Sequence, residues 1–158
     1  MCMQEAKHIN KLHNRTLLLY HLVFPVKYRR KVIDQSISET IKQICLGIEL
    51  SYEIGFIEIG TDEDHVHFLV QGIPNMSVTK MVTTIKSITA REIFSQHKEV
   101  KKFLYGGNFW TCGYYANTVG MYASKDVIQK YVKNQGKNYT QLYVNQLNLF
   151  NCFTNPSA

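Results

Sequence analysis

Cysteine, proline and long apolar runs are all scarce in this sequence. The four cysteines form no Cys-x-x-Cys pair, which argues against a zinc ribbon or a redox motif and favours reduced thiols. The longest apolar run, Thr16 to Val26, is interrupted by His21 and is shorter than the roughly 20 residues of a membrane helix. Because the N-terminal residues also lack the apolar stretch of a secretory signal, we expect a cytoplasmic protein with no membrane partner.

The chain nevertheless contains enough apolar material for one packed domain. Its 158 residues are 45% hydrophobic and 12% aromatic, a composition that excludes disorder as the global class. With only three prolines, no Pro-, Gly- or Ser-rich linker divides the sequence. We therefore predict a single domain over residues 1–158, with a core at about 15–136 and a tail, 137–158, to which the sequence assigns no role.

Positive charge is in excess and unevenly distributed. Eighteen Lys and Arg oppose twelve Asp and Glu, and the net charge of +6 favours a polyanionic partner. One basic cluster directly follows the apolar run and comprises Lys27, Arg29, Arg30 and Lys31. A solvated basic face remains the alternative for such a cluster.

Hydrophobic periodicity predicts that the chain begins with a strand and a helix. The run Thr16 to Val26 is rich in β-favouring residues and predicts a buried strand. Ser36, with Glu39 three residues later, forms a capping-box pattern, and apolar residues at helical spacing follow as far as Leu50. These patterns predict a first β-α unit.

The remaining predicted elements complete an α+β arrangement. Strands are predicted at Tyr52 to Ile59, His65 to Val70 and Phe109 to Val119, with a polar turn at Gly60 to Asp64 and helices at Ser77 to Gln96 and Ser124 to Asn134. The order β-α-β-β-α-β is that of a ferredoxin-like or RRM-like fold, with an antiparallel sheet, two helices on one face and here an additional C-terminal helix. The RNP signatures of RRM modules are missing, and fold alone does not define function.

Two histidines share one face of the second strand in the predicted hairpin. His65 and His67 are separated by one residue, so their side chains point the same way and can bind a single metal ion. The adjacent acids Glu63 and Asp64 could support the imidazoles, although a polar hairpin turn is the simpler explanation for them. Two polar residues on the wet side of a strand remain the alternative for the histidine pair itself.

A tyrosine and a glutamine share one face of the last predicted helix. Tyr131 and Gln135 are four residues apart and therefore lie one turn from each other. The apolar stripe that would dock this helix consists of Val127, Ile128 and Val132. A tyrosine at the margin of such a stripe is commonly a half-buried packing residue, so the helix alone does not establish a nucleophile.

Four stretches of the sequence occur together in the order and spacing of one family. They are YHLVFPVKYRRKVI (Tyr20 to Ile33), TDEDHVHFLVQGIP (Thr61 to Pro74), FWTCGYYANTVG (Phe109 to Gly120) and VIQKYVKNQ (Val127 to Gln135). In these stretches the sequence resembles the single-tyrosine HUH transposases, the TnpA-like enzymes of insertion sequences that move as single-stranded DNA. The resemblance extends over nearly all of the chain from Arg15 to Gly136.

The resemblance implies a metal-dependent enzyme that nicks and rejoins single-stranded DNA. By the family's pattern, Tyr131 is the nucleophile and forms a 5′-phosphotyrosine. His65, His67 and Gln135 are then the ligands of a divalent ion, Mg²⁺ or Mn²⁺, with zinc as an open alternative. The implied DNA-binding residues, which would contact phosphates, are Lys27, Arg29, Arg30 and Lys31. The implied partners are single-stranded DNA with hairpins near the element ends and a second copy of the chain in a homodimer.

Further residues carry weaker signals. Lys86 and Arg91 on the long predicted helix are candidate DNA contacts, although solvated surface is the simpler explanation for both. Gly120 could tether the helix that carries Tyr131, or it could simply end a strand.

Three other functions stay open from the sequence. The first is a catalytically silent binder or regulator of single-stranded nucleic acid, although a pure binder has no need of His65, His67, Tyr131 and Gln135 together. The second is a host-retained relative that processes chromosomal hairpins by the same chemistry. The third is a small zinc-binding structural protein, which requires the fold to bring His21 near the histidine pair.

Overall fold

The computed structural model describes residues 8–120 and the backbone of residues 140–144. The predicted C-terminal helix, Ser124 to Asn134, lies outside these residues, and so do Tyr131 and Gln135. The described elements are, in chain order, β1 (Ile9–Lys11), β2 (Asn14–Thr16), β3 (Leu18–Pro25), a 3₁₀ turn (Lys27–Arg29), α1 (Gln35–Ser51), β4 (Gly55–Asp62), β5 (His65–Gly72), α2 (Val78–Gln96), α3 (Lys98–Phe103), β6 (Tyr115–Val119) and β7 (Thr140–Val144).

The centre of the fold is a five-stranded sheet with the order β6-β3-β5-β4-β7. All neighbouring strands are antiparallel, and the first four have the order of a ferredoxin-like sheet. The predicted α+β class is therefore confirmed. β7 adds a fifth strand beside β4 and belongs to the tail for which the sequence indicated no role. β1 and β2 form a separate two-stranded hairpin.

The main hydrophobic core lies between one face of the sheet and the helices α1 and α2. Leu22 and Phe24 of β3 pair with Phe68 and Val66 of β5, and all four side chains are fully buried. The helices contribute apolar stripes, among them Ile37, Ile41, Ile48, Met81, Ile85 and Ile93. Burying each such side chain contributes about 1.5–3 kcal/mol, which holds the two layers together.

The opposite face of the sheet carries buried polar side chains beside a small apolar cluster of Leu19, Ile57 and Leu69. Every residue of β5 is buried, including His67 and Gln71, which point away from the helices. His21 of β3 and Glu58 of β4 are buried on the same face. Polar side chains are rarely buried in a sheet without a structural or functional role, so this face is where a site is expected.

α1 begins earlier than the capping-box pattern indicated. The N-cap is Asp34, whose Oδ1 accepts a hydrogen bond from Ile37 N at 2.8 Å, while Ser36 lies inside the first turn. Glu39 accepts a hydrogen bond from Gln43 instead of closing a capping box. The position of the cap follows from Ile33, whose N–H donates to the carbonyl of Glu63 at 3.0 Å, so the chain is fixed to the hairpin immediately before Asp34.

The β4–β5 hairpin is tighter than predicted. β4 continues to Asp62, so the turn consists of Glu63 and Asp64 alone rather than of Gly60 to Asp64. β4 also begins only at Gly55, because α1 runs to Ser51 and Tyr52 is its C-cap. The predicted strand at Tyr52 to Ile59 was therefore displaced by three residues at each end.

Only the second half of the predicted strand at Phe109 to Val119 is a strand. Phe109 and Trp110 are buried in the main core, where Trp110 Nε1 donates to Thr89 Oγ1 at 2.9 Å. A single bridge joins Trp110 to Val26, and the chain becomes a strand only at Tyr115. Aromatic residues favour strands and cores alike, so their pattern did not separate the two outcomes.

Besides β7 and the 3₁₀ turn, three short elements were not predicted, namely β1, β2 and α3. They have three, three and six residues, which is too short for a hydrophobic period to be visible. Within the described part of the chain, no helix is both long and apolar enough to cross a membrane.

The cap assignment can be tested by paired alanine substitutions. Asp34→Ala is expected to lower the free energy of unfolding by about 1 kcal/mol, because it removes the acceptor of the Ile37 N–H. Ser36→Ala, two residues away and exposed, is expected to change it by less than about 0.5 kcal/mol. Urea unfolding of both variants is the measurement, and a larger loss for Ser36→Ala would restore the capping-box interpretation.

Candidate active site

The site is built around two histidines at the start of β5. His65 and His67 lie on the same face, are 7% and 2% exposed, and have ring centroids 4.8 Å apart. Their register places them opposite Pro25 and Val23 of β3, in the middle of the sheet. Two imidazoles this close can bind one cation jointly.

His65 is oriented by the acid that precedes it. Asp64 Oδ1 lies 2.6 Å from His65 Nδ1, and Asp64 Oδ2 accepts a hydrogen bond from Arg29 Nε at 2.8 Å. Burial alone would raise the pKa of Asp64, but the hydrogen bonds from His65 and Arg29 outweigh it and hold this pKa below its ordinary value. The ionised carboxylate favours the His65 tautomer with its proton on Nδ1, which leaves the lone pair on Nε2.

His67 is held by a third histidine. Its Nδ1 lies 3.1 Å from His21 Nε2, and the two rings are stacked with an angle of 7° between their planes. Burial, together with the nearby charges of His65 and His21, lowers the pKa of His67 to about 3. Burial also lowers the pKa of His21. His67 is therefore neutral near pH 7, which is the form of imidazole that binds metals.

The described residues do not contain a complete metal site. Among residues 8–120, no group of three or more His, Cys, Asp and Glu is arranged to hold a metal ion. The fold does bring His21 near the pair, but its Nε2 faces His67 Nδ1 instead of a shared point. This arrangement removes the support for a structural zinc site that includes His21.

The basic cluster lies beside the histidine pair, but its members differ in their contacts. Arg29 is bonded to Asp64, and Lys31 Nζ lies 2.9 Å from Glu63 Oε2. Lys27 and Arg30 contact aromatic rings instead. Glu63 and Asp64 are thus more than a polar turn, because they join the hairpin to the segment that follows β3.

Lys86 has a role that the sequence did not reveal. Its Nζ donates to the carbonyls of Thr111 at 2.8 Å and Gly113 at 2.7 Å, and it lies over the rings of Phe24 and Tyr114. Burial lowers its pKa. Lys86 therefore fixes the segment between Trp110 and β6 to α2. The acceptors are backbone carbonyls 25 and 27 residues away in sequence, which leave no side-chain pattern to detect. Arg91, the other candidate on this helix, is exposed and lies beside Glu92.

Comparison with known proteins identifies the family. The family model described as "Transposase IS200 like" matches residues 14–135, a span that contains His65, His67, Tyr131 and Gln135. The chain belongs to this family. The resemblance inferred from the four sequence stretches is thereby confirmed, and the IS200-like family implies an enzyme that cleaves DNA and transfers its strands.

Individual relatives agree with the family match. The chain is 32% identical over 118 residues to the ISDra2 transposase TnpA of Deinococcus radiodurans, covering 75% of this chain and 84% of the relative. It is 29% identical over 127 residues to the transposase for insertion sequence element IS200 of Salmonella typhimurium, covering 78% and 80%. These relatives are transposases of insertion sequences that align over most of their length.

Solved structures show the same architecture. A crystal structure of a candidate transposase from Deinococcus radiodurans R1 superimposes with a TM-score of 0.66 and 28% identity, over 80% of this chain and 97% of that one. A REP-associated tyrosine transposase bound to a REP hairpin superimposes with a TM-score of 0.51 and 8% identity, over 84% and 68%. The second likeness establishes the fold alone.

The low pKa of His67 predicts a loss of stability in acid. The unfolded chain binds a proton at this histidine near its ordinary pKa of 6.5, whereas the folded chain does so only at about 3. Folding is therefore opposed increasingly as the pH falls through this window. Between pH 7.5 and 5.0 we expect His67 to account for a loss of up to about 2 kcal/mol in the metal-free protein.

Urea unfolding with EDTA at the two pH values measures this loss. His67→Gln is expected to reduce the difference between the two pH values, whereas His13→Gln, at an exposed position, is expected to leave it unchanged. An equal difference in all three proteins would contradict the prediction.

Proposed function

We propose that the protein is a metal-dependent transposase that excises and inserts an insertion sequence as single-stranded DNA through a 5′-phosphotyrosine intermediate. The observation that carries the proposal is the buried histidine pair, in which His65 is oriented by Asp64 and His67 is neutral. A polar cluster of this kind is costly to bury, and a structural role alone does not explain why two buried imidazoles lie 4.8 Å apart on one face of a strand.

The donor set suits a divalent cation. His65 and His67 use Nδ1 for their protein neighbours, so Nε2 is the nitrogen of each ring that would bind the ion. Gln135 is proposed as the third ligand, since the described residues supply none. Mg²⁺ or Mn²⁺ bound here would polarise the scissile phosphate as a Lewis acid. Two imidazoles and an amide carry no charge, so the ion would keep its full positive charge toward the phosphate.

Tyr131 is the proposed nucleophile. Its hydroxyl oxygen attacks the scissile phosphorus and loses its proton to water. The bond between phosphorus and the 3′ oxygen breaks, and that oxygen takes up a proton from water. The products are a 5′-phosphotyrosine and a free 3′-OH. The covalent bond conserves the energy of the phosphodiester, so a second 3′-OH can displace Tyr131 and join a new strand without a nucleotide cofactor.

The number of nucleophiles favours a homodimer. Excision of an element requires two cleavages, and each chain supplies one Tyr131. Two copies would therefore act together on the two ends. The DNA would approach along the basic cluster, where Lys27 and Arg30 have no acidic partner among the described residues. Hairpins near the element ends are the proposed recognition elements, in line with the hairpin-bound REP-associated transposase of similar fold.

The nucleophile can be tested by trapping the covalent intermediate. The protein is incubated with Mg²⁺ or Mn²⁺ and with single-stranded oligonucleotides that span the ends of its own locus, labelled at either the 5′ or the 3′ end. We expect a denaturation-resistant adduct that retains only the 3′ label, because Tyr131 remains joined to the downstream 5′ phosphate.

Substitutions assign the adduct to its residue. Tyr131→Phe and His65→Ala are expected to abolish the adduct, and Tyr139→Phe, which changes a tyrosine that has no Gln four residues later, is expected to preserve it. Binding of the same oligonucleotides without an adduct under both metals would favour the alternative function, a catalytically silent binder or regulator of single-stranded nucleic acid.

The support that Asp64 gives to His65 predicts an effect on metal affinity. Asp64→Asn is expected to weaken Mn²⁺ binding by about 10- to 100-fold, because a neutral amide holds the His65 Nδ1–H less strongly than a carboxylate does. Glu63→Gln is the matched control, since Glu63 pairs with Lys31 and not with a histidine. Titration followed by the Mn²⁺ EPR signal measures binding without DNA, and equal affinities in the two variants would refute the role of Asp64.

A further inference from the structure

Exposed aromatic side chains gather at two turns beside the histidine pair. Of the eight large apolar side chains that are exposed in the described residues, three lie here: Tyr28 at 66%, Phe103 at 50% and Tyr105 at 78%. Arg30 joins the two turns, because its guanidinium lies 4.8 Å from the ring centroid of Phe103 and 5.6 Å from that of Tyr105. Lys27 lies 5.2 Å from the ring centroid of Tyr28. We call these three rings, with Lys27 and Arg30, the aromatic shelf.

The positive charge of this surface favours an anionic partner. The first turn, residues 26–31, and the end of α3 with the turn after it, residues 100–107, contain six Lys and Arg and no Asp or Glu. Arg29 and Lys31 are paired with the hairpin acids. Four cations have no acidic partner among the described residues, namely Lys27, Arg30, Lys101 and Lys102. A partner that presents both planar apolar groups and negative charge fits this combination.

Two of the aromatic residues have an unusual backbone conformation. The non-glycine residues with positive φ in the described chain are Tyr28, Arg29 and Tyr105, at 59°, 51° and 56°, and all three lie in these two turns. A bulky residue adopts this conformation only where its surroundings enforce it, and such positions concentrate at ligand-binding sites.

The aromatic shelf is directly linked to the histidine pair. Tyr28 precedes Arg29, whose guanidinium is bonded to Asp64, and Asp64 contacts His65. Val26 N also donates to the carbonyl of Asp64 at 2.8 Å. The turn that carries Tyr28 is therefore held against the residue that orients His65.

We propose that the aromatic shelf stacks unpaired bases of the single-stranded DNA next to the site of cleavage, with Tyr105 as its principal ring. The inference rests on the proposed single-stranded DNA substrate and assigns a place on the protein to the bases of that strand. The Arg30 guanidinium lies near the Tyr105 ring, 5.6 Å from its centroid, and most of the ring is open to a base.

The test separates stacking from phosphate contacts. Fluorescence anisotropy measures the affinity for two fluorescein-labelled 20-mers, one of dT and one abasic, which carry the same phosphates. Both affinities are measured at a series of salt concentrations. Tyr105→Leu is expected to weaken binding of the dT 20-mer about tenfold, within the range known for loss of one base stack. It is expected to leave both the abasic affinity and the salt dependence unchanged, because no phosphate contact is lost.

Two further variants complete the design. Tyr105→Phe keeps the ring and is expected to bind the dT 20-mer as the parent does. Tyr52→Leu removes an exposed tyrosine at the far end of α1 and is expected to have no effect. Circular dichroism of each variant establishes that it is folded. If Tyr105→Leu fails to fold, Tyr28→Leu tests a second ring of the aromatic shelf in the same way.

Other results would overturn the proposal. Equal binding of the Leu and Phe variants would exclude stacking. An equal loss on the dT and abasic oligonucleotides would mean that the surface contacts phosphates only. A change in oligomeric state on gel filtration, with DNA binding unaltered, would assign the rings to a protein interface. If binding depends on the ring but no covalent adduct forms, the proposed enzymatic function is contradicted, whereas base stacking by the aromatic shelf is supported.

Discussion

The carboxylate of Asp64 is the contact on which the site depends. Asp64 lies in a two-residue turn, and its two carboxylate oxygens are hydrogen-bonded to Arg29 and to His65 respectively. Its low pKa keeps it ionised, so both bonds are charge-assisted and therefore stronger than neutral ones. One side chain thus fixes the segment after β3 to the hairpin and sets the orientation of the first histidine.

The burial of β5 on both faces explains how a polar site can be rigid. One face of this strand contributes Val66 and Phe68 to the main core, while the other presents His65 and His67. Interior packing is dense and permits little movement, so the backbone beneath the histidines has few alternatives. The imidazoles themselves are held by hydrogen bonds to other side chains, His67 to His21 and His65 to Asp64. Rigid support of this kind is what a metal-binding pair requires.

The sequence predicted the β-α-β-β-α-β order of the central elements and the family, because both depend on local patterns and on motif spacing. It predicted the ends of elements less well. The N-cap of α1 is Asp34 instead of Ser36, because Ile33 is hydrogen-bonded to the hairpin. Trp110, predicted in a strand, is buried in the core instead. These outcomes depend on contacts between distant segments. The same reason explains why the pairing of His67 with His21 and the anchoring by Lys86 were not predicted, since each joins residues far apart in the chain.

The position of β6 at the edge of the sheet has a consequence for local unfolding. β6 pairs with β3 on one side, and most of its side chains are exposed on both faces. It therefore gains little from apolar burial, and strands of this kind open at a lower free energy than the strands in the middle of a sheet. The three carbonyl contacts of Lys86 hold the segment just before it. A single ammonium group on α2 therefore restrains the entry to β6 and makes the opening of this edge strand more costly.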